Sequence, residues 1–199
     1  MSLPAYSKPA LVSKFSRIYN GFMDTQQAIQ SRRAVRKFLE KKVSQDLLDK
    51  ILEAGRFAPS PLNSQPWKFI VVKKKETLQR LAQYALHGVH LSSADTVIVT
   101  VVERHAGIDV WLEDHKQHLY AGAVAMENMW LAAWDIGIGA CWVTLDEKKT
   151  KDILRISEAY ELIGGLVLGY PETPPKPHSE EDRKPLSEMV SFEEFSSRR

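Results

Sequence analysis

Only one cysteine, Cys141, occurs among the 199 residues. That excludes an intramolecular disulfide and any cysteine-built metal cage, and it permits a reducing compartment. Long apolar runs are missing as well: none approaches the ~20 residues that a membrane helix needs. Residues 1–22 show no apolar core followed by a small-residue cleavage site, so no secretory signal is expected and the expected location is cytoplasmic. Charge of one sign is equally scarce. The 27 lysines and arginines nearly balance 25 acids, leaving a net +2. Nucleic acid or an anionic membrane as main partner would call for a concentrated basic face. No Ser–His–Asp set and no P-loop is visible. His87 and His90, like His115 and His118, have i,i+3 spacing, but no acid or cysteine completes a ligand set. They are read as exposed histidines, and no metal is expected.

What is present describes one domain with alternating helices and strands. Asp24 or Thr25 caps a first helix that should run to Arg33. Ser44 begins a second, with Leu47, Leu48, Ile51, Leu52 and Gly55 as its apolar stripe, ended by Pro59 and Pro61. Lys68 to Val72 reads as a strand and Glu76 to about His87 as a helix. Thr96 to Val102 is almost wholly apolar and β-branched, which predicts a central strand covered on both faces. Ala140 to Val143 and Leu162 to Leu168 complete four strands, with a helix from about Glu147 to Ile156 between them.

The segment from His115 to Trp134 is apolar nearly all round from Tyr120 onward. Such a helix must be buried in a core or between subunits, and in a chain this small a dimer interface is the favoured reading. The Pro-rich, charged tail from about Pro171 should wrap a neighbour or lie on the surface. Residues 1–22 are expected to be an N-terminal extension, mobile unless docked, ahead of a single domain at 23–199. This pattern gives an α/β or α+β class.

Two peptides stand out. SRRAVRKF gathers Arg32, Arg33, Arg36 and Lys37 at what reads as a helix end. At helical spacing Arg32 and Arg36 could converge on one anion, and guanidinium forks suit a phosphate. Taken alone, the cluster reads first as a solvated basic helix end. APSPLNSQPWKF combines small residues, two amides and Trp67 before a strand, which suits the edge of a planar heterocycle.

As a pair these peptides resemble the signature of the FMN-dependent nitroreductase family. That family's Arg-Arg-Ser-x-Arg is filled by Arg32, Arg33, Ala34, Val35 and Arg36, with Ala34 replacing the serine. Its Pro-Ser-x-x-Asn-x-Gln-Pro-Trp is matched by Pro59, Ser60, Asn63, Gln65, Pro66 and Trp67. The resemblance implies a phosphate held by Arg32, Arg33, Arg36 and the Ala34 backbone amide. It implies Pro59, Ser60 and Pro61 flanking the flavin, and Asn63 bonded to it, often from the partner subunit. GIGACWV resembles the family's approach to the ring, placing Trp142, Val143 and Thr144 near the N5 edge. Gly137-Ile138-Gly139 alone lacks the third glycine of a dinucleotide fingerprint. Arg183 in the closing Arg-Lys-Pro-Leu would return to the phosphate, and His87 or His90 could brush the ribityl chain.

The implied fold is α+β: a mixed central sheet flanked by helices, built as an intertwined homodimer with FMN at the interface. The implied activity is an oxidoreductase drawing on NADH or NADPH to reduce nitroaromatics, quinones or similar small acceptors. The flavin carries the chemistry, so no catalytic side chain is expected. A lid is placed at Glu103 to Asp114. Two rivals remain open: an FMN carrier or regulator without turnover, and an interaction protein that has lost the cofactor.

Overall fold

The computed structural model describes residues 23–86, 88–105, 110–176, 178 and 183–195. The expectations for residues 1–22 and His87, and for the middle of the Glu103–Asp114 segment, lie outside the described residues.

Helix α1 (Thr25–Ser31) starts with a full capping box: Asp24 Oδ1 accepts from Gln27 N at 2.8 Å, and Gln27 Oε1 accepts from Asp24 N at 3.3 Å. It stops two residues before the expected Arg33. Helix α2 (Gln45–Arg56) is capped by the expected Ser44, buries Leu48, Ile51 and Gly55, and ends at Arg56 rather than at the prolines. Strand β1 (Trp67–Val72) leads to α3 (Lys75–Ala82), which ends five residues short of His87. A turn and the short α4 (Val89–Ser93) take up the remainder before β2 (Thr96–Glu103). After α5 (Val110–Asp114) comes the long α6 (Gln117–Asp135), then β3 (Gly139–Val143), α7 (Glu147–Leu154) and β4 (Tyr160–Gly169).

The four strands form one antiparallel sheet in the order β1-β2-β4-β3. β2 is buried along its first seven residues, as its β-branched run requires. The only parallel member among the described residues is a short piece at Ala34, bridged to Ala140 on the outer edge of β3. The sheet is thus mixed only at that edge.

One sheet face carries α2 and α6, with Leu48, Ile51, Ile98, Met126, Met129, Leu166 and Leu168 in a common core. Leu78, Leu81, Leu91, Val97, Val99 and Val167 form a second core on the other face. The expected burial of α6 is mostly intramolecular: Ala121, Gly122, Ala125, Met126, Met129 and Ala133 all lie inside the chain. An apolar remainder, Tyr120 and Val124, still faces outward. Cys141 is a small core residue, as expected. His90 and His118 are not the exposed histidines that were expected: both are buried, and His118, 3% exposed, pairs with Glu161.

Gly122 is where α6 lies closest to the sheet. A Cβ there would come within 2.6 Å of both Ile163 Cγ1 and Val102 Cγ1. Overpacking of this kind costs about 1–3 kcal/mol, more than the ~1 kcal/mol that alanine gains over glycine in a helix. Gly122→Ala should therefore lower stability despite its better helix propensity, read as an earlier urea midpoint at unchanged slope.

Candidate functional site

The arginine segment does not continue α1. Arg32 already has φ −51° and ψ 138°, and the chain then runs extended along β3, with Val35 N donating to Ala140 O at 2.9 Å. The expected helical i,i+4 convergence of Arg32 and Arg36 is therefore corrected to strand geometry. The cause is tertiary packing: buried Val35 sits where a Cβ on Gly139 would meet it at 2.8 Å. In an extended chain residues i, i+2 and i+4 share a face, so Arg32, Ala34 and Arg36 align while Arg33 turns away. The parallel bridge aims Val35 N–H at β3 and leaves the Ala34 N–H on the open side.

Arg36 is exposed and makes no ion pair among the described residues. It lies near enough to Cys141 to oppose the upward push that burial gives that thiol. Arg32 is 23% exposed; its Nε is 3.2 Å from Glu127 Oε1, and its guanidinium carbon is 4.1 Å above the Trp130 ring. Burial pushes the Glu127 carboxyl upward, and Arg32 only partly offsets this.

β3 offers a second donor. Its outer edge is covered by Val35 at Ala140, and beyond the strand by Leu86, whose N donates to Thr144 O at 2.9 Å. Between these covers, antiparallel alternation turns the Trp142 N–H outward, in phase with the Ala140 carbonyl. Gly164, at φ +150°, lets the Trp142 indole lie against β4, because a Cβ there would be 2.8 Å from Trp142 Nε1. Val143 is buried and Thr144 exposed.

Along this edge of the sheet the Ala34 and Trp142 N–H groups point outward, and Arg32 and Arg36 belong to the segment that borders it. As a donor set they fit a phosphorylated ring: paired cations for a dianion, and a backbone N–H for a heteroatom acceptor. Ala34 subtracts one hydroxyl from that set without closing it.

The tail returns to the same corner. Pro171 bridges Phe38, Glu172 N donates to Lys37 O at 3.1 Å, and Arg33 Nε donates to Lys176 O at 2.8 Å. Arg33 also donates from Nη1 to the carbonyls of Ser31 and Arg32, both at 2.8 Å. It thereby ties the tail to the end of α1. A cleft of about 350 Å³ opens there, lined by Gln30, Ser31, Arg33, Trp134, Lys176 and His178. Arg183 Nη2 lies 3.0 Å from Nε2 of His178, one of the residues that line this cleft.

The loop before β1 lies elsewhere. Pro61–Asn63 form a 3-10 turn, and Leu62, Asn63 and Gln65 have φ of 52°, 55° and 47°. Three non-glycine residues in the left-handed region within four positions amount to stored strain of order 1–3 kcal/mol each. Ser60 holds the loop closed, its Oγ accepting from Gln65 N at 2.9 Å, while Asn63 N donates to Ser60 O at 3.1 Å. Pro59, Leu62 and Asn63 are exposed, and Ser60 and Pro61 half-buried. Trp67 pairs with Val102 at the end of β2, whereas Ala34 sits on Ala140, which pairs with Leu168 near the far end of β4. The loop and the arginine face therefore occupy opposite edges and opposite ends of the sheet. Four strand spacings, roughly 19 Å, separate the edges alone. The single chain brings Arg32, Ala34, Arg36 and Trp142 to one corner, but not Pro59, Ser60, Pro61 and Asn63.

Two groups escaped the sequence reading. Glu127 and Trp130 flank Arg32, and the one signal for Glu127 was an acid alone in the apolar stretch from Tyr120 to Trp134. At the loop's end of the sheet, Glu161 Oε1 lies 2.6 Å from Arg104 Nε and 3.2 Å from His118 Nε2. Burial raises the Glu161 carboxyl, but the bonds from His118 and Arg104 outweigh it and hold the group below its ordinary value. A carboxyl depressed in the folded state stabilises above its unfolded pKa and loses that contribution as pH falls through the folded one. Glu161→Gln should lose about 1–2 kcal/mol at pH 7, the scale of hydrogen bonds to a charged group, and should show a shallower stability loss below about pH 4.5 in denaturant titrations.

The sequence profile of the nitroreductase family matches residues 29–124 and 112–170. A protein of Methanothermobacter thermautotrophicus, provisionally named NADH dehydrogenase/NAD(P)H nitroreductase, is 31% identical over 162 residues, covering 77% of this chain and 80% of that one. An FMN-dependent nitroreductase from Clostridium difficile superposes with a TM-score of 0.75 at 27% identity, over 86% of this chain and all of that one. A provisionally assigned nitroreductase of Desulfovibrio desulfuricans, solved with FMN, gives 0.74 at 27% identity over 87% and 99%. Profile, sequence and fold agree over the segment that carries both peptides, and the chain belongs to the nitroreductase family.

Proposed function

We propose that two copies of this chain form an FMN-dependent oxidoreductase that uses NADH or NADPH to reduce small acceptors such as nitroaromatics and quinones. The observation that carries this reading is the division of the site: an open donor face at one corner and a strained, solvent-facing loop at the opposite one. A second copy can bring its loop to the first copy's arginine face. The outward apolar residues Phe57, Leu62, Tyr120 and Val124 supply surface for that contact. Support comes from the relatives, one of them a Vibrio harveyi protein named NADPH-flavin oxidoreductase, 26% identical over 163 residues.

In this arrangement Arg32 and Arg36 hold the phosphate, with the Ala34 N–H as a third donor and Arg183 closing from the tail. Arg33 keeps the tail in place rather than reaching the phosphate. The Trp142 N–H meets the ring edge from β3, alongside Val143 and Thr144. Pro59, Ser60 and Pro61 of the second copy cover the ring and exclude water, and Asn63 adds a side-chain amide bond. When bound, FMN supplies the two-electron chemistry that links nicotinamide to acceptor in ping-pong order. The chain's own share is binding, orientation and fixed dipoles around the ring.

An absorbance spectrum of the purified protein, followed by anaerobic mixing with NADH or NADPH, tests the reading. Flavin bands that bleach with either nicotinamide, and return with a quinone or nitroaromatic, are the expected result. Flavin bands that neither nicotinamide bleaches would instead mark a carrier without turnover. Arg36→Ala should weaken FMN retention by about tenfold, the equivalent of one charge-assisted bond, with the dimer intact by gel filtration.

A further inference from the structure

Arg32 is built into the fold more tightly than a surface phosphate ligand needs to be. Its Nε is buried without a well-formed hydrogen bond, and Glu127 Oε1 lies 3.2 Å from it as an ion pair. The Trp130 ring lies 4.1 Å beneath the guanidinium. One contact fixes the direction of the Nε edge and the other fixes the plane, so the group has little freedom left. Nη1 and Nη2 have no partner among the described residues. Arg32 and Arg36 are alternate residues of the extended segment, whose open edge carries the Ala34 N–H. Glu127 is also the one charged residue between Tyr120 and Trp134 of α6. Keeping a half-buried carboxylate there goes against its desolvation cost, which is what pushes its carboxyl upward.

We propose that Glu127 is a positioning residue: by holding Arg32 Nε, it presents the Nη1–Nη2 edge outward as a preformed phosphate fork. The inference rests on the reading that Arg32 receives the FMN phosphate. It assigns Glu127 no contact with the cofactor. Its action reaches the phosphate only through Arg32, so it discriminates FMN from riboflavin, which has the same ring and ribityl chain and no phosphate.

The test is a titration of the flavin-stripped dimer with FMN and with riboflavin, read by flavin fluorescence, for the native protein, Glu127→Ala, Glu127→Gln and Arg32→Ala. Glu127→Ala should weaken FMN about tenfold, the equivalent of one charge-assisted hydrogen bond, and leave riboflavin unchanged. Glu127→Gln, which keeps an oxygen beside Nε but not the charge, should bind FMN more tightly than Glu127→Ala. In the Arg32→Ala background, Glu127→Ala should change neither flavin further. An equal loss of FMN and riboflavin in Glu127→Ala would show a scaffolding role and overturn the inference. Unchanged or tighter FMN binding would show that Glu127 is idle or competes with phosphate, which also overturns it. If Glu127→Ala does not fold, Arg32→Ala still decides: an unaltered FMN-to-riboflavin preference refutes the inference while leaving FMN binding intact. A native protein that binds neither flavin overturns the proposed function and this inference together.

Discussion

Main-chain pairing determines where each part of the candidate site can be. The arginine segment is stitched to β3 by Val35 N to Ala140 O, and the loop is stitched to β2 by Glu103 N to Pro66 O at 2.8 Å. Between them lie β2 and β4, paired from Thr96–Leu168 to Glu103–Tyr160 around one bulge, with most of β2 and the second half of β4 buried. Neither peptide can move toward the other without unzipping the sheet, at a cost far above any gain from binding a small molecule. A site that needs both peptides therefore needs two chains. This is the physical basis of the proposed dimer, and it makes the outward apolar residues on α6 and around Phe57 intelligible as contact surface.

The two halves are prepared in different ways. The arginine face is preorganised by ordinary packing: Val35 fills the space beside Gly139, Trp130 stacks beneath Arg32, and the tail is tied down through Arg33. The loop is instead held in unfavourable backbone conformations at Leu62, Asn63 and Gln65, kept there by Ser60. Strain of that kind persists only where surrounding structure enforces it, and it concentrates at sites that bind. The loop presents an amide and two prolines to solvent in a shape that its own chain does not use.

Much of this was legible in the residues. The β-branched run of β2, the Ser44 cap and the stripe of α2 follow directly from periodicity and capping chemistry, and they appear where expected. The paired peptides carried the family. The arginine cluster was misplaced because its charges and the preceding helical pattern suggested a helix end, whereas Val35, the one β-branched residue among them, decides its conformation by packing on β3. His118 looked like a surface histidine because its partner, Glu161, lies 43 residues away in the sequence and meets it only through the fold. Arg33 could not be told from Arg32 in sequence, since alternation along an extended chain, and not spacing along a helix, sends the two to opposite sides.

The central claim, one site built from two chains, is tested most directly by subunit mixing. One variant carries Arg32→Ala and Arg36→Ala; the other carries Ser60→Ala and Asn63→Ala. The account predicts that each homodimer retains no FMN, and that a heterodimer of the two, purified through different affinity tags, recovers FMN at one of its two sites because one site is then wholly native. A heterodimer as empty as its parents would place both peptides of each site in the same chain and contradict the account.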